Sequence, residues 1–168
     1  MYARGEKQKP MAKNAVQDLI KQAQHTFYIL YKEIELFDEQ QWKTGLDFFL
    51  TPANVSMHIF DCLDYYFSGK LPADYHWGYH FGGGWWELQP EQVPGKAVVL
   101  AYARGLEAHI IAQLATLTDD DLSKPWTIDP TAETFIGHFI YALKHTLHHH
   151  GELAALAVFH GKEGGSWE

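Results

Sequence analysis

Apolar side chains recur at intervals of three and four residues over four long stretches of this 168-residue chain, and this periodicity constrains the fold most. Such spacing places apolar side chains on one face of an α-helix, whereas a half-buried strand would alternate at every second residue. No internal repeat or strand-like alternation is visible. The pattern therefore predicts an all-α fold, an up-down four-helix bundle. The stretches predicted to be helical are 12–40, 51–68, 95–117 and 132–160.

Residues that favour helix starts support these boundaries. Thr51 followed by Pro52 combines an N-cap with a proline in the first turn of the second helix. Because domains usually hold ~100–200 residues, we predict a single domain over 1–168. Within it, residues 1–11 form an N-terminal extension and residues 161–168 a flexible tail.

The connection between the second and third helices, residues 69–94, is rich in glycine, proline and aromatic residues. Its length of ~25 residues far exceeds the ~4–6 of an ordinary connection. It could fold over one end of the bundle as a lid that excludes water. It could equally be a packed loop or a dimer contact, because aromatic residues are also common in interfaces.

Charge and cysteine content narrow the possible partners and location. The 13 Lys and Arg residues and the 21 Asp and Glu residues give a net charge of 13 − 21 = −8 at pH 7. No basic stretch offers a binding surface for nucleic acid. Cys62 is the only cysteine, and the polar N-terminus lacks the apolar stretch of a signal peptide, so we expect a cytoplasmic protein. No run approaches the ~18 apolar residues of a membrane span. The aromatic content favours a homodimer.

Eleven histidines are present, and the densest group is KHTLHHHGEL, residues 144–153, on the predicted fourth helix. His145 and His149 are four residues apart and share a helix face, as in helical metal sites, whereas His150 points away. The same spacing is compatible with a polar stripe at a helix interface. However, burying two imidazoles whose lone pairs have no partner is costly. Gly151 inside the helix also indicates a close neighbour or ligand, so we favour metal binding.

A third ligand is expected, because catalytic zinc sites use three protein ligands and leave one position for water or substrate. His58 is the best candidate, since it lies in the middle of the predicted second helix among apolar residues. A lone histidine in such a helix is more often a satisfied core residue. Its coincidence with the pair on the fourth helix favours the ligand interpretation.

Two motifs resemble the DinB/YfiT-like superfamily of four-helix bundles, namely VSMHIFD over 55–61 and HTLHHHGE over 145–152. Members of that superfamily hold a metal with one histidine of the second helix and an H-x-x-x-H pair of the last. By this resemblance the ligands are His58, His145 and His149. Glu152 stands where glutamine is usual, and the long aromatic insertion also departs from the pattern.

The resemblance implies a divalent ion, zinc or nickel, in an open three-histidine site of a metal-dependent enzyme. The implied chemistry is thiol (S-) transfer with a low-molecular-weight thiol, isomerisation, or hydrolysis of a small substrate. Such an ion can lower the pKa of water to ~7 or hold a thiolate. Glu152 and Asp61 are candidate catalytic residues that could orient an imidazole or take a proton, or they could be solvated helix residues. Candidate pocket residues are His138, Tyr141, Trp85 and Trp86.

A non-catalytic metal-binding or stress-associated protein is the alternative function. It gains support if Glu152 acts as a fourth ligand and closes the coordination shell. A di-iron bundle would need Glu-x-x-His pairs, and the sequence contains none. Cys62 is most simply a small buried hydrophobic residue and not a nucleophile.

Overall fold

The computed structural model describes residues 14–47 and 49–165, in which helices dominate. The prediction of an all-α four-helix bundle is confirmed. The predicted extension over 1–11 lies outside the described residues, as do the last three residues of the predicted tail. None of the described helices has the length and apolarity needed to cross a membrane. The α-helices are α1 (Ala15–Glu35), α2 (Glu39–Trp42), α3 (Pro52–Ser68), α4 (Lys96–Leu114) and α5 (Phe135–Phe159).

Side-chain caps determine where several helices begin. The Thr51 side chain accepts a hydrogen bond from the backbone N–H of Asn54, as the sequence predicted for the second long helix. The first helix was predicted to continue to residue 40, but α1 ends at Glu35. Asp38 starts the separate helix α2 through a capping box with Gln41, because its carboxylate competes for the backbone N–H groups of a new first turn.

Contacts between helix ends reveal the direction of each long helix. Gln113 near the end of α4 donates a hydrogen bond to the carbonyl of Phe67 near the end of α3, so these two helices run parallel. The carboxylate of Asp119, beyond α4, accepts hydrogen bonds from the backbone N–H groups of Ala15 and Val16 at the start of α1. Helices α1 and α4 are therefore antiparallel.

The last helix returns in the direction of the first. The ring of His160 at the end of α5 packs edge-on against Phe37, which lies just beyond α1. The long helices thus run up, down, down and up, which corrects the predicted up-down order because apolar periodicity does not specify the direction of neighbouring helices. Because α3 and α4 are parallel, the connection between them must carry the chain back along the bundle, which explains its unusual length.

Helices α1 and α3 each pack against both α4 and α5, which places α1 and α3 on a diagonal of the bundle. Across this diagonal the rings of Phe27 and Phe60 stack with centroids 6.2 Å apart. Trp42 of α2 is fully buried and donates a hydrogen bond to the carbonyl of Pro94, which fixes the start of α4. The bundle is therefore closed around one apolar core, with α3 and α5 in contact along one side.

The long connection is fastened to the side of α3. The buried carboxylate of Asp61 accepts hydrogen bonds from the backbone N–H of Gly78, at 2.9 Å, and from the Tyr75 hydroxyl, at 3.2 Å. The same hydroxyl lies 2.8 Å from a carboxylate oxygen of Asp64. Gly78 has φ +72° and lies so close to Gly83 that a side chain there would collide with its carbonyl. These contacts assign Asp61 to holding the connection in place.

Candidate metal centre

Three histidine rings from α3 and α5 meet inside the bundle. The ring centroids are 4.4 Å apart for His58 and His149, 4.6 Å for His145 and His149, and 5.1 Å for His58 and His145. The Nε2 atoms of His58 and His149 are 3.0 Å apart. At that separation both can bond to one ion at the ~2.0–2.1 Å typical of zinc–nitrogen bonds. The structure thus brings together the three side chains that the sequence analysis selected, and their role as ligands remains a prediction.

The histidine rings are electrostatically suited to a cation. Burial, followed by the neighbouring rings of His149 and His145, lowers the pKa of His58 to about 3. Burial, followed by His149 and His148, lowers the pKa of His145 to about 4. At neutral pH both rings are therefore uncharged and each offers a lone pair.

One ring nitrogen in this cluster lacks a partner. The Nδ1 atom of His145 is buried and has no hydrogen-bonding partner within 14–47 and 49–165. A buried polar atom without a partner costs ~1–3 kcal/mol. A divalent ion bound through this nitrogen would offset that cost, so the residues present fit a metal ion.

Glu152 contacts the outer nitrogen of one proposed ligand. One of its carboxylate oxygens lies 2.7 Å from Nδ1 of His149, and the other lies 3.7 Å from Nε2 of His148. A carboxylate that accepts the Nδ1–H of a histidine leaves the Nε2 lone pair free, and metal-binding histidines commonly have such a partner. The contact is compatible with the orienting role considered for Glu152, and that role stays a prediction.

Cys62 also belongs to this neighbourhood, although the sequence analysis set it aside. The potential donor atoms of His58, Cys62 and His145 lie within 4.8 Å of one another, as do those of His148, His149 and Glu152. Cys62 follows His58 by four residues on α3, and this spacing was the available sequence signal. Burial raises the pKa of the Cys62 thiol, which is consistent with the prediction that it is not a nucleophile.

A pocket of about 160 Å³ opens beside His58, His149 and Glu152. Trp85, a predicted pocket residue, forms part of its wall and stands edge-on to His58 with ring centroids 4.7 Å apart. Trp86 packs edge-on against Trp85 and is more exposed, and it does not line this pocket. The remaining wall residues are Phe49, Leu50, Asn54 and Val55.

A second, shallower opening reaches the cluster from the outer side of α5. It measures about 310 Å³ and is lined by Tyr141, Lys144, His145 and His148, and a binding role for Tyr141 stays a prediction. His138 lines neither opening. It is buried, and its two ring nitrogens each lie 3.0 Å from an oxygen, in the Tyr66 carbonyl and the Thr131 hydroxyl.

Comparison with known proteins finds a likeness of fold to a solved structure. No protein-family model and no curated protein sequence matches this chain. Among solved structures, the fold is similar to that of YfiT from Bacillus subtilis, described as a probable metal-dependent hydrolase with an unusual four-helix bundle topology. The TM-score is 0.64 at 18% identity, and the likeness covers 96% of this chain and 94% of that one. The predicted resemblance is confirmed at the level of architecture, and the chain has the DinB/YfiT-like four-helix-bundle fold.

Proposed function

We propose that this protein is a metal-dependent hydrolase in which His58, His145 and His149 bind one divalent ion. The observation that carries the proposal is the convergence of their rings, with two Nε2 atoms 3.0 Å apart. Such an ion, when bound with one coordination position left open, would lower the pKa of a water molecule at that position to ~7 and polarise a substrate carbonyl. The similarity to YfiT, described as a probable metal-dependent hydrolase, supports the same assignment.

The nature of the donors narrows the choice of metal. Three imidazoles suit zinc or nickel, whereas magnesium and calcium prefer oxygen ligands. Glu152 accepts the Nδ1–H of His149 and keeps its Nε2 directed at the ion. An ion held by three histidines alone keeps a free position, which hydrolysis requires and a closed, non-catalytic site would lack.

The pocket beside His58 and His149 indicates which class of substrate this site would bind. One side of the pocket is apolar, and Asn54 adds an amide group. The apolar residues are Phe49, Leu50, Val55 and Trp85. This wall fits a small molecule with an apolar or aromatic part next to an ester or amide bond. Trp85, in contact with His58, also excludes water from one side of the reacting position.

Transfer of a low-molecular-weight thiol is the second candidate. The opening on the other side of the cluster places Lys144 next to His145. Small biological thiols often carry carboxylates. Lys144 could bind such a carboxylate while the thiol group of the same molecule reaches the ion. Turnover of a thiol conjugate without ester hydrolysis would favour this candidate.

Exposed aromatic side chains also lead us to propose a homodimer. Phe49 and Trp86 lie close to Trp85 and remain 50% and 41% exposed. Large exposed aromatic side chains are enriched in interfaces. Sedimentation at several concentrations distinguishes a dimer from a monomer of 19.2 kDa.

The metal assignment is tested on protein purified without added metal. We expect elemental analysis to find one divalent ion per chain in the wild type and nearly none in His58→Ala. His109→Ala is the matched control, because His109 is an exposed histidine on α4. An unchanged metal content in His58→Ala would remove this residue from the centre. Chelation should also abolish hydrolysis of aryl esters or amides, and zinc or nickel should restore it.

A further inference from the structure

A second pair of side chains that can bind a metal lies on the outer surface of α5. His148 and Glu152 are four residues apart, and Nε2 of His148 lies 3.7 Å from Oε1 of Glu152. This separation is too long for a hydrogen bond. It is within the reach of two ligand atoms that bond to one zinc ion at ~2.0–2.2 Å. Because the two side chains are 70% and 33% exposed, a hydrated ion has direct access to both.

Glu152 connects this pair to the proposed metal centre. Its second oxygen, Oε2, lies 2.7 Å from Nδ1 of His149, the ring whose Nε2 faces His58. One carboxylate thus contacts a proposed ligand through one oxygen and faces His148 with the other. The potential donor atoms of His148, His149 and Glu152 lie within 4.8 Å of one another. The two groups of donors are therefore adjacent, and Glu152 lies between them.

We propose that His148 and Glu152 form a second, weaker divalent-cation site, and that excess metal bound there inhibits the proposed hydrolase. Binding at this outer site needs no ion between the three converging rings, whereas the inhibition rests on the proposed function. One imidazole and one carboxylate oxygen, with water in the remaining positions, suit zinc, nickel or copper. Two protein ligands hold an ion less tightly than three, so the outer site should fill after the inner one.

The position of Glu152 explains why an ion at the outer site would inhibit. Glu152 lines the pocket beside His58 and His149, so an ion bound to it adds positive charge and coordinated water at the edge of that pocket. The same ion also withdraws electron density from the carboxylate that contacts Nδ1 of His149. Both effects act on the proposed centre without removing any of its three ligands.

An exposed ion pair between Glu152 and a protonated His148 is the competing interpretation. It requires a positive charge at position 148, whereas a metal site requires a lone pair there. The nearby lysine does not stand between the two side chains. Lys144 precedes His148 by one helical turn, on the opposite side from Glu152, and its Nζ lies 5.2 Å from the centre of the Tyr141 ring.

The test titrates zinc into metal-free wild type, His148→Ala and His148→Arg by isothermal titration calorimetry. We expect two binding events in wild type and loss of the weaker event in both variants, because arginine keeps a positive charge but offers no lone pair. His109→Ala is the matched control. His109 is also exposed on a helix, but the residue four positions later is Gln113, an amide that contacts it. Thermal unfolding of the metal-free proteins shows that each variant is folded.

Retention of the weaker event in His148→Ala or in His148→Arg would overturn the outer site. His58→Ala separates this inference from the proposed function, because it should lose the tighter event and keep the weaker one. If wild type shows a single event, its loss in His148→Ala would overturn the proposed function, and its loss in His58→Ala would overturn the outer site.

The inhibition is measured on aryl ester hydrolysis by protein loaded with one zinc ion. Turnover by wild type should be lost as zinc is raised through the weaker binding event, and His148→Ala should not show this loss. Equal inhibition of the two proteins would overturn the inhibitory role of the outer ion, and the calorimetric result would then stand for binding alone.

Discussion

Helix α5 carries the buried His138 and the half-buried pair of His145 and His149, and these two sets differ in their hydrogen-bonding partners. His138 lies near the start of the helix, with both ring nitrogens near oxygens and its ring stacked on Trp126 at 3.8 Å. His145 and His149 lie further along, where Nε2 of His149 faces Nε2 of His58 and where Nδ1 of His145 has no hydrogen-bonding partner among the described residues. Both sets are surrounded by apolar residues. On this difference in partners we interpret His138 as a structural histidine and propose His145 and His149 as ligands.

Removing His145 and His149 together should have the largest effect. The double variant His145→Ala/His149→Ala should lose all bound metal and reduce any metal-dependent turnover at least ~100-fold, since a catalytic ion is worth several kcal/mol. Its metal-free form should unfold close to the wild-type temperature, because a ring nitrogen without a partner is removed with the side chains. Elemental analysis and thermal unfolding in chelator check both. If the folded double variant retained metal, His145 and His149 would not be the ligands, and the proposed difference from His138 would be wrong.

Removing His138 should have the opposite effect, with stability reduced and metal binding unchanged. His138→Ala loses contacts to Tyr66 and Thr131 and leaves a cavity beside Trp126, so the free energy of unfolding should fall by ~2–4 kcal/mol. Metal bound per folded chain should not change. Denaturant unfolding and elemental analysis of the same preparation measure the two quantities. If metal is lost while stability is kept, His138 belongs with the ligands and the comparison fails.

Glu152 offers a finer comparison within the metal set. In Glu152→Gln a neutral amide replaces the carboxylate that accepts the Nδ1–H of His149, and the affinity for zinc should fall by ~10-fold. Stability should change little, since the Glu152 side chain is 33% exposed. Chelator competition gives the affinity, and Glu163→Gln, on the tail beyond α5, serves as the control. Equal affinities for Glu152→Gln and wild type would show that the contact at 2.7 Å does not orient the ligand.

The sequence was sufficient to predict the four long helices, because they depend on local periodicity, and the three histidines were selected by their spacing together with the family resemblance. It could not show that α3 and α4 run parallel, since apolar stripes do not specify which helices become neighbours. His150 illustrates the same limit. It points away from the other histidines, as predicted, yet it is buried near Glu33, because α5 packs against α1 on one side and α3 on the other. The contact of Cys62 with His58 depends on side-chain conformations that spacing alone does not determine.

The pH dependence of stability provides the smallest effect and the sharpest test of the structural set. Burial lowers the pKa of His138, although the Tyr66 carbonyl and Asp129, 4.0 Å away, act in the opposite direction. The unfolded chain therefore binds this proton more readily than the folded chain once the pH falls below the ordinary value of ~6.5. The contribution of His138 is fully present above that pH and is lost as the solution becomes more acidic.

Metal-free wild type should accordingly lose stability more steeply than metal-free His138→Leu between pH 7 and pH 5. The difference in slope is at most ~1.4 kcal/mol per pH unit, the limit for one proton. Denaturant unfolding at several pH values measures it, and the leucine keeps most of the packing while removing the titrating ring. Parallel slopes would mean that His138 binds its proton equally well in both states. In that case the contacts with Tyr66 and Asp129 would fully offset the effect of burial, and burial could no longer be taken to hold the His138 ring in its neutral form.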